Sequence, residues 1–329
     1  MTGQSDRAGL AGQGEQAATA PEPFDEQRVE LPDGRHIGLA HFGDPDGFAV
    51  LWFHGTPGAR RQIPPAAIEH AEASGVRIVG MERPGVGWSS PHRYERMADW
   101  ATDVGHVADM LPADRFGVIG LSGGGPYSLA CAALMPDRVV GAAVLGGVAP
   151  THGPDAPGGG LAGLAKPFNG VLSAISGPFT TVLDLAVRNV LLPVSEQAAG
   201  LYVRFGPEAD RAVLGRPEMM ATLVGDLRNA AADQFKAIIF DVVLFGRDWG
   251  FQLTDIAVPV WFWHGDADFF VPLSHGEAMA ASVEGAVLHF RPGAGHLATL
   301  DGGVEALELI LAAAKGAPGT DRDGQDAQL

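Results

Sequence analysis

A chain of 329 residues, 46% hydrophobic and with a formal net charge of -17, can bury one large core or two modest ones. Its acidity excludes attraction to nucleic-acid phosphates or anionic lipid as its main business, which leaves a small molecule as the expected partner. Its single cysteine, Cys131, excludes an internal disulfide and, inside an apolar helical pattern, reads as a small buried core residue.

Residues 1–24 are mostly Gly, Gln, Ala and Glu without an apolar segment, so they read as a disordered arm and not as a secretory signal. The segments 27–31 and 35–40 alternate around Pro32-Asp33-Gly34, which predicts an antiparallel hairpin at one sheet edge. The continuous apolar run 49–53 fits a strand buried on both faces of a parallel sheet, and it ends at His54-Gly55-Thr56-Pro57-Gly58. A helix is expected over 60–74, a strand over 76–81, the loop Glu82-Arg83-Pro84-Gly85-Val86-Gly87-Trp88-Ser89, and a helix over 97–111. The strand 116–119 then runs into Gly120-Leu121-Ser122-Gly123-Gly124, followed by a small-residue helix over 126–135 and a sixth strand over 139–145.

Here the alternation stops. The interval 151–255 has helical periodicity and no convincing strand, and its longest uncharged apolar stretch, 167–183, is broken by Asn169, Gly170, Gly177 and Pro178, so no membrane span is expected. Alternation resumes with a strand over 258–263, a helix over 274–281, a strand over 286–290 and a helix over 298–315, before a polar, loose tail at 316–329. The expected fold class is therefore α/β: a mostly parallel, doubly wound sheet with helices on both faces. Its core is 25–150 and 256–315, with a helical lid, 151–255, inserted after the sixth strand and packed over the C-terminal strand ends. Such a chain is expected to be cytoplasmic; its oligomeric state is not legible.

The chemistry centres on Ser122. A serine on a sharp strand-to-helix turn is lifted clear of the sheet, and the turn closes only if Gly120 and Gly124 keep side chains out of the crossing. The following helix presents backbone N–H groups, beginning with Gly123, to an oxyanion formed there. A serine hydroxyl needs a base, and the base needs a third group to orient it, so a histidine and a carboxylate are sought at C-terminal strand ends. His296, in the loop Arg291-Pro292-Gly293-Ala294-Gly295-His296, fits the first. Asp268, in Gly265-Asp266-Ala267-Asp268, is preferred for the second, with Asp266 capping the turn and Asp155 a distant alternative. His264, Asp266, Asp268 and His296 also have the chemistry of metal ligands, but a metal site does not need a serine on a strained turn; neither metal nor cofactor is expected. Gly55 lets the chain turn so that the Thr56 N–H becomes a second oxyanion donor, while His54 reads as a loop anchor.

These motifs, in the order His54-Gly55-Thr56-Pro57-Gly58, Arg83-Pro84-Gly85-Val86-Gly87-Trp88-Ser89, Gly120-Leu121-Ser122-Gly123-Gly124, Asp268 before Val271-Pro272, and Gly295-His296, resemble the lid-bearing serine hydrolases of the alpha/beta-hydrolase fold superfamily. The resemblance spans about 29–314 apart from the insertion and implies hydrolysis through an acyl-enzyme without a cofactor. Serine at 122 sets the chain apart from haloalkane dehalogenases and epoxide hydrolases of this fold, which carry aspartate there. Proline iminopeptidases are similar at the His-Gly loop but usually have a second glycine where Thr56 stands and a tryptophan where Gly123 stands. Glu82 occupies a place that is aspartate in many relatives, a conservative change in a loop support.

The insertion contributes Phe168, Leu172, Phe179, Leu183, Met219, Met220, Leu223, Phe235, Phe240, Phe245, Trp249 and Phe251, most of them for lid packing and some to roof an apolar pocket. The expected substrate is a small to medium, largely apolar ester, thioester, lactone or amide. Two other readings keep the same residues: a ligand sensor with slow or single turnover, and an acyltransferase or cofactor-free perhydrolase that replaces water with another acceptor.

Overall fold

The computed structural model describes residues 19–111, 114–151, 204–231 and 237–316, with a few isolated positions between 157 and 202. Expectations for 1–18 and 317–329, for Asp155, and for Phe168, Leu172, Phe179, Leu183 and Phe235 lie outside the described residues.

Eight strands form one sheet in the order β1-β2-β4-β3-β5-β6-β7-β8. The hairpin β1 (Asp25–Glu30) and β2 (His36–Gly43) sits at one edge, and β2 also runs antiparallel to β4 (Val76–Met81). The rest is parallel: β3 (Phe48–Phe53), β5 (Phe116–Leu121), β6 (Val139–Leu145), β7 (Val260–Gly265) and β8 (Val287–Arg291). The central strands read as unbroken apolar runs because helices cover both faces. Along β3, alternation sends Ala49, Leu51 and Phe53 into one core cluster and Val50 and Trp52 into the other. The first cluster is completed by α2 (Asp99–Ala108), α3 (Gly125–Leu134) and α7 (Leu273–Ser282), the second by α1 (Pro65–Ser74) and α8 (Gly303–Ala314). Cys131 is fully buried among the first, and burial pushes its thiol far up, as expected of an inert core residue.

Several boundaries differ from expectation, three of them in an informative way. The helix expected over 60–74 starts at Pro65, because a proline restrains the residue before it to extended backbone and Pro65 fits a first helical position. The strand expected at 258 starts at Val260, beyond Pro259, which has no N–H for the ladder. The last helix is divided into a 3₁₀ segment, Leu297–Gly302, and α8.

Between β6 and β7 the described segments are helical: α4 (Glu208–Leu214), α5 (Pro217–Ala231) and α6 (Ala237–Phe245), with no strand among the described residues. Met219, Trp249 and Phe251 are buried in the body of the protein. Among the described residues no helix is long and apolar enough to cross a membrane.

Candidate active site

The turn after β5 is built around one unusual backbone angle. Ser122 has φ +50°, alone among the described non-glycine residues in the left-handed region, and opens the 3₁₀ turn Ser122–Gly124 that leads into α3. A Cβ on Gly120 would collide with the carbonyl of Gly124, and one on Gly124 with the carbonyls of Phe53 and His54 at the end of β3. Two backbones cross there, so neither can yield. Gly124→Ala is expected to destabilise the protein by about 3 kcal/mol or more, an effect readable as a lowered thermal midpoint.

His296 Nε2 lies 2.8 Å from Ser122 Oγ, and His296 Nδ1 lies 2.6 Å from Asp268 Oδ2. Because the carboxylate can only accept, Nδ1 carries the ring proton and Nε2 presents its lone pair to the serine hydroxyl. The other oxygen of Asp268 accepts the N–H groups of Phe270 and Val271, each at 2.9 Å, which fixes the buried carboxylate. Ser122, His296 and Asp268 are thus brought together from three strand ends. Asp266 is exposed and does not cap its own turn: its Oδ1 accepts the Gly293 N–H at 2.7 Å, tying the turn after β7 to the histidine loop, while Asp268 accepts the N–H groups within the turn. His264 donates through Nε2 to the Val271 carbonyl at 2.7 Å, another tie of the Asp268 turn.

The His54–Gly58 turn flanks the serine. A Cβ on Gly55 would stand 3.5 Å from Ser122 Cβ, and one on Gly123 would strike Thr56 Oγ1, so Thr56 and Gly123 are in contact beside Ser122. The Thr56–Pro57 bond is cis. His54 is a loop anchor: its Nδ1–H donates to the Gly55 carbonyl at 2.8 Å and its Nε2 accepts the Arg83 N–H at 3.2 Å. Complete burial and the neighbouring Arg83 charge hold its pKa far below the usual imidazole range, so it stays neutral. Glu82 is likewise a support, fully buried, paired with Arg60 at 2.5 Å and accepting the Trp88 N–H at 2.7 Å; burial pushes its carboxyl up.

These groups open on a cavity of about 420 Å³. Leu121, Val148, Phe270, Val271, Leu297 and Leu300 come to it from the sheet body, and Leu223, Leu227, Val242 and Phe245 from the inserted helices. His296 is the only titratable lining group among the described residues besides Tyr202.

Three supporting residues were not foreseen from the sequence, all aspartates of the inserted helices. Asp210 of α4 accepts the Leu297 and Ala298 N–H groups at 3.1 and 2.8 Å, directly after His296. Asp226 of α5 accepts those of Ala59 and Arg61 at 2.7 and 2.9 Å, and burial pushes its carboxyl up to about 7. Asp241 of α6 meets Arg83, Thr56 and Tyr127. A carboxylate inside an apolar helical run, as in Ile238-Ile239-Phe240-Asp241-Val242-Val243, is the signal that marks such a residue.

A family model described as the alpha/beta hydrolase fold matches residues 49–303. The proline iminopeptidase of Neisseria gonorrhoeae is 31% identical over 128 residues, 38% of this chain and 41% of that protein. A probable proline iminopeptidase of Leptolyngbya boryana is 33% identical over 102 residues, 30% of this chain and 31% of that protein. The matches thus span well under half the length of these curated relatives. Among solved structures, the esterase EaEST from Exiguobacterium antarcticum superposes with a TM-score of 0.64 at 18% identity, covering 88% of this chain and 100% of that one. At that identity the likeness is one of fold.

Proposed function

This chain belongs to the alpha/beta-hydrolase fold family, and from that premise we propose that it is a serine hydrolase cleaving a neutral, largely apolar ester through an acyl-enzyme on Ser122. The observation that carries the reading is the unbroken hydrogen-bond chain from Ser122 Oγ through His296 to Asp268, open to an apolar cavity.

Ser122 Oγ attacks the carbonyl carbon while its proton passes to His296 Nε2, and Asp268 stabilises the imidazolium that results. The N–H groups of Thr56 and Gly123 stabilise the tetrahedral oxyanion, each such donor being worth about 10²–10³ in turnover. Collapse breaks the bond to the leaving alkoxide oxygen, which takes the proton from His296. Water, deprotonated by the same nitrogen, then attacks the acyl-serine and restores the hydroxyl. The inserted helices α5 and α6, whose side chains wall the cavity, act as a lid that excludes bulk water from this exchange.

The apolar wall favours neutral acyl groups. A free amine, as in an N-terminal prolyl substrate, finds no carboxylate among the described lining residues. With nitrophenyl esters of increasing acyl length, kcat/KM is expected to rise by about fourfold per methylene until the cavity is filled. Succinyl esters and prolyl amides are expected to be poor substrates; a preference for either over a butyryl or hexanoyl ester would overturn the substrate class.

A further inference from the structure

Resting on the serine-hydrolase reading, we propose that the inserted helices hold the active-site loops in working order, and that Asp241 is a positioning residue which, through Arg83, aims the Thr56 N–H at the oxyanion.

Arg83 and Asp241 are each about 1% exposed and form an ion pair, with Arg83 Nη2 2.7 Å from Asp241 Oδ2. Arg83 Nε also faces the carboxylate, at 3.1 and 3.2 Å from its two oxygens. The rest of the guanidinium turns to the His54–Gly58 turn. Its Nη1 donates to the His54 carbonyl, and its Nη2 donates to the Gly55 carbonyl at 3.0 Å and to Thr56 Oγ1 at 2.8 Å. Asp241 Oδ2 in turn accepts the Thr56 hydroxyl at 2.5 Å, and Oδ1 accepts the Tyr127 hydroxyl at 2.6 Å.

The Gly55 carbonyl decides what this network does. It belongs to the same planar peptide as the Thr56 N–H, and in a trans peptide the two point to opposite sides. Arg83 and His54 both hold that carbonyl, at 3.0 and 2.8 Å. The Thr56 N–H is thereby fixed on the opposite side of that peptide, in a turn that lies against Ser122. Without Asp241, Arg83 would be a buried cation with no counter-charge, drawn toward water and free to release the carbonyl. The peptide could then rotate, and an oxyanion donor must be in place before charge develops, since reorientation during the reaction raises the barrier.

Asp210 repeats the pattern on the histidine loop and Asp226 farther along the connection from β3 to α1. Asp210 holds the backbone just after His296, and Asp226 the backbone just after the His54–Gly58 turn. Each of the three described inserted helices thus places one buried carboxylate on a loop that carries or adjoins a reacting group.

Asp241→Asn, Arg83→Lys and Tyr127→Phe would be compared with wild type on a nitrophenyl ester, with the competent serines counted by fluorophosphonate titration. In Asp241→Asn and Arg83→Lys, kcat per titrated serine is expected to fall by about 10–100-fold with KM within about threefold, because the donor acts mainly on the transition state. Tyr127→Phe keeps the ion pair intact and folds even where the others do not; its kcat per titrated serine is expected to fall by about 3–10-fold. A purely structural role would lower the thermal midpoint and the number of titratable serines while leaving kcat per serine within about twofold of wild type, and that result would overturn the proposal. A wild type with neither labelling nor turnover would instead remove the hydrolase reading beneath it.

Discussion

Replacing Ser122 by alanine is expected to lower ester turnover by about 10⁴-fold or more, with the protein still folded. Removal of the nucleophile abolishes the acyl-enzyme, so what remains is the rate that the oxyanion donors and binding alone supply. The fold should persist, because the turn depends chiefly on Gly120 and Gly124 at the backbone crossing and alanine adds no atom beyond the Cβ that serine already carries. Circular dichroism and thermal midpoint check the second half of the expectation, and steady-state kinetics the first. Retention of more than a tenth of the activity would mean that another nucleophile does the work.

Asp268→Asn is expected to have the next largest effect, a loss of about 10³–10⁴-fold in kcat with little change in KM. An asparagine could keep its bonds to the Phe270 and Val271 N–H groups through its amide oxygen. Its NH₂ would then face His296 Nδ1 and donate to it, which forces the ring proton onto Nε2, the nitrogen that must accept from Ser122. The geometry survives while the proton is on the wrong atom. Asp266→Asn, on the exposed neighbour that only bonds the Gly293 N–H, provides the contrast: a change of less than about tenfold is expected there, since one loop hydrogen bond is altered.

The residues of the candidate site were legible because the rules that place them are local. β4 and β6 occupy the spans that their apolar runs predict, and side chains leaving the C-terminal ends of neighbouring strands must meet. Ser122, Asp268 and His296 follow from that, and so does the contact of the Thr56 turn with the serine, since β3 pairs directly with β5. The preference for Asp268 over Asp266 rests on the expectation that the residue closer to the strand caps the turn, and the structure reverses that reason: Asp268 itself accepts the Phe270 and Val271 N–H groups, while Asp266 reaches across to Gly293.

What could not be read were the partners of charges buried across long separations. Arg83 stands in a motif whose glycines explain a turn, and nothing near it in sequence names Asp241 as its counter-ion. Asp210 and Asp226 bind backbone N–H groups, which carry no mark in the sequence at all. The first N–H groups after His296, which a helix cannot satisfy for itself, are met by Asp210 from a segment more than eighty residues away. Apolar patterning finds the layers of this fold; the polar bonds between the insertion and the loops are set only when the layers have been assembled.

The most direct test is to treat the protein with a fluorophosphonate and map the adduct by mass spectrometry, alongside ester turnover in the same sample. The expected result is one phosphonyl group per chain, on the peptide containing Ser122, with turnover falling in proportion to labelling and neither seen in Ser122→Ala. Turnover that continues after Ser122 is fully labelled, or an adduct on another residue, would contradict the assignment of Ser122 as the nucleophile.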